Sequence, residues 1–379
     1  MSILNKLKTF KWKHYINYIV VAAFGIVYTI MSITGGLKSS STMLLEKISI
    51  SIIAAVSLSL VVGFLGELSL GHAGFMCIGA YLGGKVSALL QPVLGTDNML
   101  LNFAISLIVG GVCAAVFGAI IGLPALRLKG DYLAIVTLAF GEIVKVIFQQ
   151  SEFFGANMGL PTPRYNKNTF FIICFVMILI ILAISQNLIR SKHGRAITSI
   201  RDNEIAAKAT GINVTKYKLM VFTMSAFFAG IAGVLFSFSN NTVQSAKFGY
   251  NYSIEILVMV VLGGMGNING SIIAATLITF LNIKLQTVLT GDQAILKDFF
   301  YALILIIVVI YNNAASFQNF REKYNFKNLF SRLKRRRNDP ADIKDDESKW
   351  DRVPSKIKMD ALLSVDITNK SDRPEKEEK

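Results

Sequence analysis

Long apolar runs separated by short polar stretches set the pattern of this chain. Ten segments stand out: 15–34, 43–64, 70–90, 101–126, 131–150, 168–188, 219–238, 252–263, 270–289 and 298–313. About 20 apolar residues in helical conformation cross the hydrocarbon layer of a bilayer. Backbone amides immersed in lipid must bond within their own segment, so such runs span as helices. The pattern predicts an all-α, polytopic integral membrane protein with about ten transmembrane helices, interrupted segments included.

Composition agrees with the pattern. Of the 379 residues, 53% are hydrophobic and 17% charged, against about a quarter charged in a typical soluble domain. The three cysteines, Cys77, Cys113 and Cys174, all fall inside apolar runs, where they read as small hydrophobes rather than a disulfide framework.

Charge then orients the segments. The net charge of +15 gathers in four places: Lys6 to Lys13, Arg127–Lys129, the loop 189–218 and the tail 321–337. Short loops rich in Lys and Arg stay cytoplasmic. Ten segments put four, two and four crossings between neighbouring basic stretches, so all four share one side. The expected layout is a cytoplasmic N-terminus over 1–14, a membrane domain over 15–315 and a cytoplasmic, largely disordered tail over 316–379. The basic residues flank spans instead of forming one patch with interleaved aromatics, which argues against nucleic acid as a partner. The lipid bilayer is the partner that this charge fits.

Two stretches interrupt membrane-depth sequence. The first, Gly63–Gly74, reads GFLGELSLGHAG; the second, Gly263–Ser271, reads GGMGNINGS. Each runs straight into a helix rich in small residues, with Ser69 and Asn269 as expected cap formers. Broken backbone at this depth is tolerated where protein or a water-filled cavity covers it, and paired breaks point to a transport path. The candidate pathway residues are Gly66, Glu67, Ser69, His72 and Gly74 in the first break. In the second they are Gly263, Gly264, Asn267, Asn269 and Gly270. Close packing of helices through glycine is the competing reading.

The loop 189–218 is long for a connection between spans, and long loops in compact proteins tend to carry function. Within it, Asp202 or Asn203 is placed to cap a short helix, Glu204 favours its N-terminal end, and Ala206 and Ala207 propagate it. Gly211 is placed to end it in the left-handed conformation. A short capped helix on a basic loop reads as a docking element for another protein, since a lipid-surface helix wants larger apolar residues than alanine.

Gly66–Tyr81 (GELSLGHAGFMCIGAY), Leu128–Ile143 (LKGDYLAIVTLAFGEI), Gly194–Gly233 and Gly263–Ser271 together resemble the branched-chain amino acid permease subunits of ABC importers. The likeness runs in consistent order over about residues 15–315. It implies a permease subunit in the bacterial plasma (inner) membrane, a second permease subunit, two ATP-binding subunits and an extracytoplasmic solute-binding protein. It also implies that Glu204, Ala206, Ala207 and Gly211 form the element that couples to an ATPase. One departure stands out: where the importer pattern has Glu before the two alanines, this chain has Ile205, with Glu204 one residue early.

No cofactor or metal site is expected, and the chain is not expected to be an enzyme. The nearest match to a phosphate-binding loop, Gly79–Val86, has Val86 in place of the required hydroxyl residue and lies inside a span. His14, His72 and His193 are too scattered for a metal or nucleophile constellation. The alternative function is an ion-coupled secondary transporter using Glu46, Glu67, Glu142 or Glu255, since a mid-membrane carboxylate costs about 2.5–3.5 kcal/mol. Glu142 has Lys145 one turn away, a spacing that suits local pairing. Glu46 and Glu255 fall near a membrane boundary, which leaves Glu67 as the sharpest carboxylate.

Overall fold

A computed structural model describes residues 39–94, 98–128, 130–163 and 167–288, together with 299, 302, 303 and 306. The expected segments 15–34 and 298–313 and the tail 316–379 therefore lie outside, or almost outside, the described residues. The other eight segments are all helices, with ends close to those read from the sequence.

In chain order, α1 spans Ser39–Ser59 and runs on as a π-turn, Leu60–Leu65. Then come α2 (His72–Leu94), α3 (Met99–Ala125), α4 (Asp131–Gln150) and α5 (Lys167–Arg190). Two shorter helices follow, α6 (Lys192–Asp202) and α7 (Glu204–Ala209). The described part ends with α8 (Val214–Ser239), α9 (Tyr250–Gly263) and α10 (Ile268–Val288). Six of these, α1, α2, α3, α5, α8 and α10, are long and apolar enough to cross a membrane, and α9 is a shorter apolar helix. The 20-residue α4 carries Asp131, Glu142 and Lys145 and does not count among the six. The fold is that of a polytopic α-helical membrane protein.

Helix α1 is the axis, packed by α5, α8, α9 and α10, while α2, α3 and α8 form a tight trio beside it. The trio is close because small residues face each other. A Cβ added to Gly79 would lie 2.2 Å from the Gly230 carbonyl oxygen, and one on Gly233 would lie 2.0 Å from that of Met76. Without a hydrophobic force between helices in lipid, such close backbone approach and its dispersion contacts are what hold spans together. The outer face of α3 is the reverse, with Ile108, Val112, Val116 and Ile120 all exposed. Apolar residues facing outward suit a lipid or subunit environment, and the pattern inverts that of a soluble helix.

At the far end of α8 the chain leaves through a two-residue antiparallel ladder. Here β1 (Leu160–Pro161) pairs with β2 (Thr242–Val243), Leu160 opposite Val243. The Thr162 hydroxyl donates to the Ser237 carbonyl at 2.7 Å, and the Tyr81 hydroxyl donates to that of Val243 at 3.1 Å. The first bond fixes the segment after α4 against the end of α8, and the second ties the strand after α8 to the middle of α2.

Candidate functional site

The first break begins where α1 stops. Gly66 turns the chain with φ 81°, ψ 13°, a left-handed geometry open to glycine, and its N–H closes on the Val61 carbonyl. Residues 66–71 are then irregular until α2 starts at His72. The free amides near that start find partners on other helices. Leu70 N–H donates to Thr137 Oγ1 of α4 at 3.0 Å, and Ala73 N–H donates to Ser253 Oγ of α9 at 3.2 Å. Ser69, the expected cap former, is fully buried with its hydroxyl unpaired among the described residues. Capping by distant hydroxyls replaces it, because Thr137 and Ser253 are brought to the break by packing that no local sequence pattern encodes.

His72 is buried, and its Nε2 lies 3.0 Å from Ser225 Oγ. The Ser225 hydroxyl proton is committed to the Ser57 carbonyl, so the histidine Nε2–H is the donor in this pair. Its Nδ1 has no partner among the described residues. Gly74 sits where a Cβ would be 2.7 Å from the Gly141 Cα, so α2 and α4 touch backbone to backbone.

The second break is a tight hairpin between α9 and α10. Gly264 and Gly266 have φ of 89° and 82°. Asn267 is the cap: its Oδ1 accepts the Gly270 N–H at 3.3 Å and its carbonyl accepts the Ser271 hydroxyl. Asn269 is not a cap, since α10 starts at Ile268 and includes it; the helix begins two residues earlier than the position read from the sequence. Gly263 and Gly270 let the hairpin close, a Cβ on Gly270 falling 1.7 Å from the Gly263 carbonyl oxygen.

The two breaks meet. A Cβ on Gly63 would lie 2.6 Å from the Gly266 nitrogen, and between the two reaches Arg201 from the end of α6. Its Nη1 donates to the Gly63 carbonyl at 3.2 Å while its Nη2 pairs with Asp202 at 2.9 Å. The neighbouring Glu67 is held by Lys218, whose Nζ lies 2.5 Å from Glu67 Oε1 and 3.1 Å from Glu204 Oε2. The Lys218 side chain is 4% exposed, Glu67 13% and Glu204 37%. The interrupted segments and the short helix of the 189–218 loop thus form one connected cluster at one end of the molecule.

Neither Arg201 nor Lys218 was among the residues singled out from the sequence. A lysine directly abutting the apolar run 219–238 is the signal that marks Lys218, because a cation buried there needs a carboxylate. Arg201 lies in a basic loop and carries no such signal.

The loop itself is almost wholly helical. Ser191 Oγ caps α6, accepting the Gly194 N–H at 3.2 Å, and Ile197 and Ile200 bury its inner face. Asn203 Oδ1 caps α7, accepting the Ala206 N–H at 3.0 Å, and Gly211 leaves the segment with φ 86°. The six-residue α7 turns Ala207 inward, where it is 4% exposed, and turns Ile205 out, where it is 81% exposed. An outward face of Ile205, Ala206 and Ala209 thus replaces the one expected to include Ala207.

The other carboxylates singled out from the sequence are also partnered. Glu142 pairs with Lys145, as their spacing predicts, and accepts the Tyr250 N–H at the start of α9. Buried Glu46 accepts the Ser239 hydroxyl at 3.0 Å, and Glu255 accepts the Asn282 amide at 2.9 Å. Among the described residues no group of three or more His, Cys, Asp or Glu side chains is arranged to hold a metal ion.

Helices with small-residue contacts inside and apolar residues outside define a polytopic membrane protein. Residues 40–309 match the family described as branched-chain amino acid transport system / permease component, and the chain belongs to that family. It is 35% identical over 262 residues to the high-affinity branched-chain amino acid transport system permease protein LivM of Salmonella typhimurium. Identity to the same-named protein of Escherichia coli is 36% over 262 residues. Each match covers 60% of this chain and 60% of the relative. The ribose import permease protein RbsC of Escherichia coli is 27% identical over 297 residues, 71% of this chain and 84% of the relative.

Proposed function

We propose that this chain is the membrane-spanning permease subunit of an ABC importer that moves branched-chain amino acids into the cytoplasm. Two partner ATP-binding subunits hydrolyse ATP, a second permease subunit completes the membrane pore, and an extracytoplasmic binding protein delivers the solute. The chain sits in the bacterial plasma membrane with both termini cytoplasmic, so that α6 and α7 face the ATPases. Membership of the permease family supports this reading, and one observation carries it. Helix α7 offers Ile205, 81% exposed, while Glu204 on its first turn joins Lys218 and Glu67 at the first break. A partner that moves α7 thereby pulls on the broken end of α1 and the start of α2.

The alternative, an ion-coupled transporter, loses its sharpest carboxylate, since Glu67 is already neutralised by Lys218. The pathway residues are proposed to line a constriction closed at Gly63 and Gly266, which the cluster opens when α7 moves.

The test is Ala206→Glu in the reconstituted complex. A charge forced into a docked face costs about 2 kcal/mol or more, roughly thirtyfold in docking affinity. Solute-stimulated ATPase activity should fall accordingly at unchanged subunit yield. Normal coupling in that variant, or uptake that survives ATP depletion and collapses with the proton gradient, would overturn the proposal.

A further inference from the structure

A second cluster of polar groups lies at the opposite end of the bundle from α6 and α7. It lines a cavity of about 360 Å³ between α1, α8, α9 and α10. About 24 Å of helix, at roughly 1.5 Å per residue, separates Lys47 on its wall from Gly63 at the first break. The volume falls at the small end of ligand pockets, which run from about 300 to 1,000 Å³.

The lining is arranged by charge. Lys47 and Lys247 put two ammonium groups on the wall, and neither is ion-paired among the described residues. Glu255 puts a carboxylate there, oriented by the Asn282 amide at 2.9 Å. Ile50, Phe236 and Phe248 supply apolar wall, and Phe236 and Phe248 lie edge to face at 5.0 Å. The second observation is Thr279. It is 7% exposed, lines the same cavity, and its hydroxyl has no hydrogen-bond partner among the described residues. A buried hydroxyl without a partner costs free energy unless something that enters the cavity bonds to it.

We infer that this cavity is a low-affinity binding site for a small zwitterion, an α-amino acid with an aliphatic side chain. Its ammonium group meets Glu255 and the Thr279 hydroxyl, its carboxylate meets Lys47 and Lys247, and its side chain lies against Phe236 and Ile50. With both charges matched, the ligand exchanges its hydration for protein contacts at little net cost, which suits a station on a path rather than a trap. The site deepens the importer reading, on which its role as a station rests; the binding itself does not need ATP.

The experiment is equilibrium binding of radiolabelled leucine to the full chain in phosphatidylcholine nanodiscs without nucleotide. Saturable binding is expected, weakened about tenfold or more by Glu255→Gln and by Lys247→Gln, each a loss of one charge-assisted contact. Two half-ligands separate the poles. Competition by 4-methylpentanoate, which lacks the ammonium, should be indifferent to Glu255→Gln but lost in Lys247→Gln; isoamylamine should behave the other way round. Thermal unfolding of each variant guards against misfolding, and Thr279→Val, which removes only the hydroxyl, gives a second variant with intact charges and weakened leucine binding. Leucine binding that is absent from the wild type, or as tight in E255Q and K247Q as in the wild type, overturns the site even where ATP-driven uptake persists. Binding with these signatures but no ATP-driven uptake leaves the site standing and defeats the importer reading instead. A phosphatidylethanolamine headgroup carries the same pair of charges; if adding that lipid to the discs abolishes leucine binding, the cavity is a lipid site and the inference fails.

Discussion

Lys218 Nζ stands 2.5 Å from the Oε1 of Glu67, and this bond joins α8 to the irregular stretch between α1 and α2. The same ammonium reaches Glu204 at 3.1 Å, so one cation ties a membrane helix to the first turn of the loop helix α7. Removing Lys218 leaves a mostly buried carboxylate with no counter-charge.

Lys218→Met is therefore expected to destabilise the protein by about 3 kcal/mol. The value is at the low end for a broken buried pair because Glu204 is over a third exposed and remains solvated. Adding Glu67→Gln should restore part of the loss. Thermal unfolding in detergent of the two single variants and the double variant gives the coupling, and strict additivity would contradict the pairing.

The contact of the two breaks at Gly63 and Gly266 is steric. Gly63→Ala places its methyl carbon 2.6 Å from a backbone nitrogen that has little room to retreat, at an expected cost of about 1–3 kcal/mol. Gly211 has nothing within 4 Å of an added Cβ, and its φ of 86° is one that asparagine tolerates. Gly211→Asn should cost under about 1 kcal/mol. Comparing unfolding midpoints of the two variants checks the contrast.

Burial separates the alanines of α7. Ala207→Glu puts a carboxylate at a position 4% exposed, and the expected result is loss of folded, membrane-inserted protein, by several kcal/mol. Ile205→Glu, at a position 81% exposed, should leave yield and unfolding temperature unchanged. Size-exclusion profiles of the purified variants distinguish them.

The parity of the basic stretches gives an orientation to test. A single cysteine at Met158, 89% exposed in the segment after α4, should react with an impermeant maleimide added outside intact cells. A cysteine at Ser331, in the basic tail, should react only after permeabilisation. Labelling of Ser331→Cys in intact cells would reverse the orientation.

Hydrophobic runs alone determined that the chain is a polytopic helical membrane protein and placed eight helices within a few residues, six of them long and apolar enough to cross a membrane. Run length and backbone satisfaction in lipid leave few other solutions. Local chemistry likewise narrowed the cap of α7 to Asp202 or Asn203, of which the structure uses Asn203, and placed the Gly211 terminator and the Glu142–Lys145 pair, because capping, left-handed turns and (i, i+3) pairs involve residues close in sequence. What the sequence did not contain is any contact between distant segments. Ser69 looks like a cap, yet Thr137 and Ser253 do the capping; Ala207 looks like an outward small residue, yet it is buried. Arg201 between the breaks, Lys218 between two glutamates, and the Lys47, Lys247 and Glu255 cavity all join helices far apart along the chain. Which faces of uniformly apolar helices meet is set by the fit of side chains across them, so only the tertiary structure decided it.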